Sequence, residues 1–186
     1  MEHILYTTDL REINMQIRNI KRILQQKAQT NWLAIHNKTK NLDRTKLDLF
    51  CKVKSVFGLS FYLSSPLSFK ERKALSNFRT SSHNLPVETA RYQQITDREH
   101  RLCPLCNESV GDEAHYLTEC SYETFKTSRA ILYTLVCRKS PGFANMSKID
   151  KTVFLLDNTD TQILAQVGKF AHEMMEMCRG INKGFR

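Results

Sequence analysis

The pattern of apolar positions predicts an amphipathic helix near the start of the chain. Between residues 10 and 24, apolar side chains recur at intervals of three and four residues, which places them on one helix face. These side chains are Leu10, Ile13, Ile17, Ile20 and Leu24. Thr8 or Asp9 is placed to cap the N-terminus of this helix. The apolar stripe must be buried, either in the chain's own core or against a partner.

The middle of the chain predicts two further helices with a break between them. Residues 42–57 carry a helix-like apolar stripe, and segment 58–66, which begins with glycine and ends with proline, interrupts it. That segment is the best candidate for a hinge. Ser68 and Glu71 have the spacing of a capping box, in which each side chain accepts a hydrogen bond from the other residue's backbone. A helix is therefore predicted to begin there.

The C-terminal third predicts two helices and one ambiguous run. Apolar residues over 125–136 predict a helix that ends near Pro141, and the run 153–156 is compatible with a helix or a strand. The clearest stripe covers residues 163–178, and Gly180 is placed to end that helix. Strand-like alternation is scarce throughout the sequence. The predicted fold class is therefore mainly α.

One array of cysteines and a histidine interrupts the helical pattern. Cys103, Cys106, His115 and Cys120 are spaced C-x2-C-x8-H-x4-C. Three thiolates and one imidazole form the ligand set of a closed, tetrahedral structural zinc site. Pro104 favours a tight turn between the first two cysteines. The sequence thus predicts Zn²⁺ as a cofactor, held by a zinc-knuckle-like CCHC loop that is inserted between helices.

Two other interpretations of the array stay open. His100 lies three residues before Cys103 and competes with His115 for the metal; His115 is preferred because, with Cys120, it gives two ligands on each of two chain segments. If His115 were not a ligand, Glu113 beside a three-cysteine zinc would be placed as a general base. Four good ligands argue against such an open site. No enzymatic activity and no catalytic residue is predicted.

Length and cysteine usage indicate a globular protein of a reducing compartment. At 186 residues the chain is long enough for one domain, or for one domain and a helical arm. Only three of the six cysteines cluster, and they do so near a histidine, which favours metal binding over disulfides. No apolar leader opens the sequence, and no run reaches the roughly 18 apolar residues that span a bilayer. The predicted location is intracellular, either cytoplasmic or nuclear, without a membrane partner.

Positive charge is concentrated in the N-terminal half. Residues 1–100 hold 17 Lys and Arg against 9 Asp and Glu, whereas residues 101–186 hold 11 against 10. Such a surplus indicates contact with a polyanion, most often nucleic acid, or else a solubilising face. The predicted domains are a basic helical segment over residues 1–60 and a helical domain over residues 67–186, which contains the metal motif at about residues 100–122.

The metal loop is a poor candidate for phosphate contact. Between the first and last cysteine it has no Lys or Arg but four acidic residues: Glu108, Asp112, Glu113 and Glu119. Three thiolates on a divalent ion add a charge of about −1. Tyr116 is compatible with base stacking or with a place in the core. Nucleic-acid contacts are therefore predicted at flanking residues: Lys38, Lys40, Lys46, Lys52, Arg72, Lys73, Arg79, Arg91, Arg98 and Arg101.

Residues 69–122 resemble a known family. The run from Leu75 to Tyr92 contains F-R-x-S-S-H-x-L-x-x-E-x-x-R-Y and leads into R-L-C-P-L-C and then D-E-A-H-Y-L-T-E-C. Together these motifs resemble the zinc-binding tail that follows the reverse transcriptase domain in LINE-type, non-LTR retrotransposon polyproteins. The resemblance implies the four metal ligands named above. It also implies binding to nucleic acid, either the element's RNA or its target DNA.

The chain departs from the full polyprotein in lacking palm aspartates and endonuclease residues, so the resemblance implies no catalysis here. It implies a terminal fragment, a decayed copy or a host gene made from one. The expected function is a non-catalytic zinc-binding module that binds nucleic acid and no small-molecule substrate. The alternative is a helical protein–protein interaction module stabilised by zinc. In that alternative the stripes over residues 10–24 and 163–178 meet the parent polyprotein or another helical partner.

Overall fold

Two compact units make up the chain, residues 1–43 and residues 44–186. The predicted boundary, between residues 60 and 67, does not coincide with this division. A computed structural model describes the following residues, with only the backbone for 39–40 and 181–184: 10–40, 47–95 and 97–184. These described residues are mainly helical, as predicted, and contain no strand. Their only β-type pairing is an isolated antiparallel bridge between Leu102 and Val110.

The first unit contains one long helix, α1 (Leu10–Lys40). The predicted amphipathic stripe does form a helix, and the helix continues well beyond the stripe. Within it Trp32 stacks on His36 one turn later, with ring centroids 4.7 Å apart. Four of the five stripe side chains are exposed; Ile13 is half-buried. The predicted caps Thr8 and Asp9 lie outside the described residues.

The described part of the second unit is built from eight helices. They are α2 (Asp48–Val53), α3 (Phe61–Ser64), α4 (Phe69–Arg79), α5 (Pro86–Tyr92), α6 (Glu113–Thr118), α7 (Glu123–Lys139), α8 (Lys148–Leu156) and α9 (Thr161–Gly184). Two short 3-10 helices, Arg98–His100 and Pro141–Asn145, lie between them. Across the described parts of both units, no helix combines the length and the apolar character that a membrane span needs.

The local signals at α4, α7 and α8 agree with the structure. At the start of α4 the Ser68 hydroxyl accepts a hydrogen bond from the Glu71 N–H, and the Glu71 carboxylate accepts one from the Ser68 N–H at 2.8 Å. The capping box is therefore present as predicted. The predicted helix over 125–136 lies within α7, and the ambiguous run 153–156 is helical in α8.

Two local predictions are wrong. Segment 58–66 is not simply a hinge, because it contains α3; the Tyr62 hydroxyl lies 3.0 Å from Ser76 Oγ of α4 and holds α3 against that helix. Gly180 does not end the last helix, since α9 continues to Gly184. A glycine inside a helix costs only about 1 kcal/mol relative to alanine. That is too little to stop a helix whose preceding turns are buried.

The core of the second unit lies where α4 crosses α9. Leu75 and Phe78 of α4 and Val167 of α9 are fully buried there. Gly168 allows the helices to approach closely, because a Cβ at this position would lie 2.8 Å from the Glu71 Cβ and 3.0 Å from its backbone. Helices α7 and α8 complete this core, and α6 packs on α8. The stripe over 163–178 thus belongs to the core and does not form an outward face.

Candidate metal centre

Cys103, Cys106, His115 and Cys120 come together in the second unit, as their spacing predicts. One donor atom from each residue lies within 4.8 Å of all the others. The Cys103 and Cys120 sulfurs are 3.9 Å apart, and Cys106 Sγ is 3.3 Å from His115 Nε2. A tetrahedral ion with metal–sulfur bonds near 2.3 Å separates its ligand atoms by about 3.5–3.8 Å. The four residues are therefore placed to hold one metal ion.

A tight turn presents the first two cysteines. The Asn107 N–H donates to the Cys103 carbonyl at 2.8 Å, and Asn107 itself has the left-handed φ of +57° that asparagine tolerates. The turn also aims the Cys106 N–H at the Cys103 sulfur. The Cys103 N–H donates to the Ser109 carbonyl at 2.8 Å and ties the turn to the residues that follow it in the loop. Both sulfurs consequently face the same point.

Helix α6 and the residues just after it deliver the second pair of donors. The Asp112 carboxylate caps α6 by accepting from the His115 N–H at 2.8 Å. At the other end the Cys120 N–H donates to the His115 carbonyl at 2.9 Å, so one short helix sets the position of both ligands. Just before α6, Gly111 packs against Pro86, whose side chain a Cβ at this position would meet at 2.8 Å.

The centre is largely buried, and its closest pair of sulfurs favours the charged form of Cys103 and the neutral form of Cys120. Cys103, Cys120 and His115 are almost completely buried, whereas Cys106 is half-buried. The hydrogen bond between the Cys103 and Cys120 sulfurs lowers the pKa of Cys103 to about 3 and raises that of Cys120. Two thiols so close share one proton. The Tyr122 N–H also points at the Cys120 sulfur.

The imidazole of His115 points into this cluster. Its Nε2 faces the Cys106 sulfur, and its buried Nδ1 has no hydrogen-bond partner among the described residues. A neutral imidazole that carries its proton on Nδ1 has a lone pair on Nε2, which is a metal ligand. The donor set and its orientation therefore fit a bound ion. His100, the alternative ligand, is exposed, lies 3.7 Å from the Asp97 carboxylate and is not in the cluster. The structure therefore places His115, and not His100, with the three cysteines.

Tyr116 supports the centre from the core. Its side chain is fully buried, so the interpretation as an exposed base-stacking residue is wrong. The hydroxyl hydrogen-bonds the Cys103 side chain and accepts from the Cys178 thiol at 3.5 Å. Burial and these two sulfurs raise the pKa of Tyr116, which keeps its proton available to the Cys103 sulfur. The centre is thus tied to α9 through one hydroxyl.

A second buried polar group beside the centre was not foreseen from the sequence. The Glu113 carboxylate accepts from the Ser81 hydroxyl at 2.6 Å and lies 2.7 Å from His83 Nε2. Burial acts to raise the pKa of Glu113, but the His83 ring and the Ser81 hydroxyl outweigh it and lower the pKa. This group ties residues 81–83 to the start of α6. Glu113 is therefore a structural residue, which argues against its use as a general base.

The sequence contains one signal that could have found this group. Ser81 and His83 stand in the S-S-H run, and Glu113 stands in the D-E-A-H run, of the motifs that carry the family resemblance. Their spacing of about thirty residues matches no local period. Only the packing of the 81–85 segment against α6 brings them together.

Two of the predicted nucleic-acid contacts are buried inside the second unit. Arg79 is 2% exposed; it donates to the Leu156 carbonyl and to the Asp157 carboxylate, and its guanidinium lies 5.0 Å above the Tyr62 ring. Arg101 is also buried and donates to two backbone carbonyls, at 2.9 and 3.0 Å. Their predicted role as surface contacts is corrected, because both guanidinium groups satisfy interior acceptors.

Three other predicted arginines are partly used by the fold. Arg72 donates to two backbone carbonyls, at 3.0 and 3.1 Å. Arg91 lies 3.7 Å from the Glu88 carboxylate, and Arg98 lies 2.7 Å from that of Asp112. All three side chains are half-buried. Each arginine therefore has a partner within the fold, and a phosphate would have to share the guanidinium group with that partner.

The predicted lysines remain at the surface where the structure describes them. Lys38 and Lys73 are exposed, and Lys52 is exposed and paired with Asp48 at 2.7 Å. Lys46 and the side chain of Lys40 lie outside the described residues. The described lysines among the predicted contacts are thus exposed, whereas the predicted arginines are buried or half-buried and have partners within the fold.

The acidic side chains of the metal loop are largely compensated. Asp112 pairs with Arg98, Glu113 is engaged by His83, and Glu119 pairs with Lys148 at 2.5 Å. Glu108 accepts from the Ser121 hydroxyl at 2.8 Å. The loop is consequently less repulsive to an anion than its composition predicts.

Comparison with known proteins identifies no relative. No protein-family model matches the chain, and no curated protein or solved structure is significantly similar to it. The relationship to retrotransposon tails stays a prediction based on residues 69–122. The functional inference therefore starts from the cluster of three cysteines and one histidine and from the distribution of charge.

Proposed function

We propose that this chain is a non-catalytic helical module that binds a structural zinc ion and contacts nucleic acid. The observation that carries the zinc is the largely buried cluster of Cys103, Cys106, His115 and Cys120, whose donor atoms all lie within 4.8 Å of one another. Thiolate-rich tetrahedral sites select zinc or iron–sulfur chemistry, and three cysteines with one histidine are a structural zinc set. Four good ligands leave no position for a reactive water.

The ion's role in this proposal is to fix the segment between α5 and α7. The described residues of that segment form only short elements: one α-helix of six residues, one 3-10 helix of three residues and one isolated bridge. Zinc-finger peptides gain about 10–16 kcal/mol of apparent binding free energy from such sites, which is ample to order a loop of this size. The loop then has the knuckle-like role that the sequence predicts.

The nucleic-acid part of the proposal rests on charge. The chain carries a formal net charge of +9, and the surplus lies in residues 1–100. Exposed lysines such as Lys38, Lys52 and Lys73 supply groups that contact phosphates without reading sequence. The resemblance to reverse transcriptase tails points the same way. The expected binding is therefore weakly sequence-dependent and strongly salt-dependent.

A metal assay joined to a salt titration tests the proposal. Purified protein should contain one zinc per chain, and its affinity for RNA or DNA should fall steeply between about 50 and 200 mM salt, because each phosphate contact releases counterions. Lys73→Glu should weaken binding and flatten the salt slope. The matched control is Lys169→Glu, which changes an exposed lysine of α9 in the nearly neutral half of the chain. Iron in place of zinc, or no binding at low salt, would contradict the proposal.

The second candidate is the helical protein–protein interaction module, and one observation favours it. The apolar stripe of α1 is exposed, whereas the stripe over 163–178 is consumed by the core. Only α1 is therefore left to meet a partner in that function. Replacing Ile17 and Ile20 with serine distinguishes the two functions: the change should spare nucleic-acid affinity in the first and abolish partner binding or self-association in the second.

A further inference from the structure

The corner formed by α3 and α4 exposes aromatic rings beside lysines. Phe69, the first residue of α4, is 76% exposed, and Phe61, the first residue of α3, is 45% exposed. Lys70 and Lys73 are exposed on the same first turns of α4, and neither has an ion-pair partner among the described residues. Residues four apart share a helix face, so Phe69 and Lys73 are neighbours on the surface.

Hydrogen bonds fix the two helices of this corner against each other. The Arg72 guanidinium donates to the carbonyls of Ser65 and Leu67, just before α4 begins. The Tyr62–Ser76 contact then holds α3 alongside the second half of α4. With a rise of about 1.5 Å per residue, the seven residues from Phe69 to Ser76 span about 10 Å. That is about three base steps at 3.4 Å per base of one strand.

The charge around these rings favours an anionic partner. Residues 61–73, which contain both rings, carry three cationic side chains and one anionic side chain, a local net charge of +2. The single carboxylate, Glu71, is occupied in the capping box. Exposed rings among lysines provide both a stacking platform for bases and contacts for phosphates. In a duplex the phosphates are accessible, but the bases are stacked on each other. The phenylalanine rings therefore contribute to the binding of an unpaired strand only.

From this arrangement we infer that the α3–α4 corner, defined by Phe61, Phe69, Lys70 and Lys73, binds single-stranded nucleic acid. Phe69 and Phe61 stack on unpaired bases, and the two lysines contact the phosphates that flank them. The inference rests on the proposed nucleic-acid function and narrows it to single strands and to one surface.

The test compares single-stranded with duplex affinity in the full, zinc-loaded chain. The probes are a fluorescent oligothymidine and a duplex of equal length, read by anisotropy at low salt. Phe69→Leu keeps an apolar side chain but removes the ring, and should weaken oligothymidine binding about fivefold or more while leaving duplex binding unchanged. Phe61→Leu should act in the same direction. Replacing both Lys70 and Lys73 with glutamate should weaken the binding of both probes.

Two matched controls separate stacking from general exposure. Tyr92 is 84% exposed, but residues 88–101 carry three cationic and three anionic side chains, so Tyr92→Leu should leave both affinities unchanged. Leu59 is 74% exposed in the segment before α3 and has no ring to stack, so Leu59→Ala should leave the affinity for both nucleic-acid probes unchanged. Both positions are exposed enough that neither change threatens the fold.

Each other outcome has a definite meaning. Oligothymidine binding that is unchanged in both phenylalanine variants overturns the inference and leaves the nucleic-acid proposal standing. Tight binding to phosphatidylserine vesicles that Leu59→Ala abolishes, with unchanged oligothymidine binding in Phe69→Leu, assigns the corner to a lipid surface and also overturns it. If the wild-type chain binds neither these probes nor an oligouridine of equal length at low salt, both the inference and the proposed function are wrong.

Discussion

Individual ligands in the metal centre are held by contacts that exist without the ion. The Asp112 side chain caps α6 and positions His115, and the Cys120 N–H donates to the His115 carbonyl at the end of the same helix. Tyr116 hydrogen-bonds the Cys103 side chain. Ligands that are placed in advance lose little freedom on binding. The same contacts explain why His115 lies with the three cysteines and His100 does not: His115 is inside a capped helix, whereas His100 is exposed at the end of a short 3-10 helix.

Replacing His115 with alanine should therefore remove tight metal binding. Losing an outer-shell partner of a metal ligand costs about 10–100-fold in affinity, and losing a ligand should cost more. The measurement is zinc retained after dialysis against a competing chelator. His100→Ala is the control and should retain the wild-type zinc content. Loss of zinc in the His100 variant alone would show that the ligand assignment is mistaken.

Among the helices, the crossing of α4 and α9 organises the second unit. Gly168 lets the two backbones approach, and the buried side chains of both helices interlock on either side of that point. Helix α9 also carries Cys178, which donates to Tyr116 beside the metal ligands. The position of α9 therefore influences both the core and the metal centre.

Gly168→Ala should destabilise the protein although alanine has the higher helix propensity. The added methyl group lies 2.8–3.0 Å from Glu71 atoms, including its backbone, so the helices must separate. Overpacking of this kind costs about 1–3 kcal/mol, which urea unfolding would report. Gly180→Ala in the same helix meets nothing within 4 Å and should be neutral, or stabilising by up to about 1 kcal/mol. Equal effects of the two changes would exclude a close-contact role for Gly168.

The division of the chain into units depends on contacts between elements distant in sequence. Helix α2 lies before the predicted boundary at residues 60–67, yet it packs on α4 and α8 of the second unit. Val53, its last residue, is almost completely buried there. The short helix therefore belongs to the core that follows it.

Two N-terminal deletions distinguish the two boundaries. Removing residues 1–43 should leave the zinc content and the unfolding free energy of the remainder close to those of the full chain. Removing residues 1–60 also deletes α2 and uncovers the core at Val53, which should cost about 2–5 kcal/mol, as for large core truncations. Thermal unfolding followed by circular dichroism compares them. Equal stability of the two products would favour the boundary at 60–67.

The features predicted correctly from sequence are those that depend on near neighbours along the chain. Helical periodicity predicts α1, α7 and α9, the Ser68–Glu71 spacing predicts the start of α4, and the C-x2-C-x8-H-x4-C spacing predicts which four residues come together. Each of these features depends on a short stretch of sequence, because helix formation and capping are interactions between residues a few positions apart.

The features that sequence could not predict depend on which elements meet. Arg79 and Lys73 lie on the same basic helix, but burial against α8 makes the first structural and leaves the second exposed. The pairing of His83 with Glu113 joins residues thirty positions apart. No local pattern encodes these outcomes, because burial and long-range hydrogen bonds are properties of packed surfaces. Composition sets the amount of positive charge, and packing alone determines which of those charges a partner can reach.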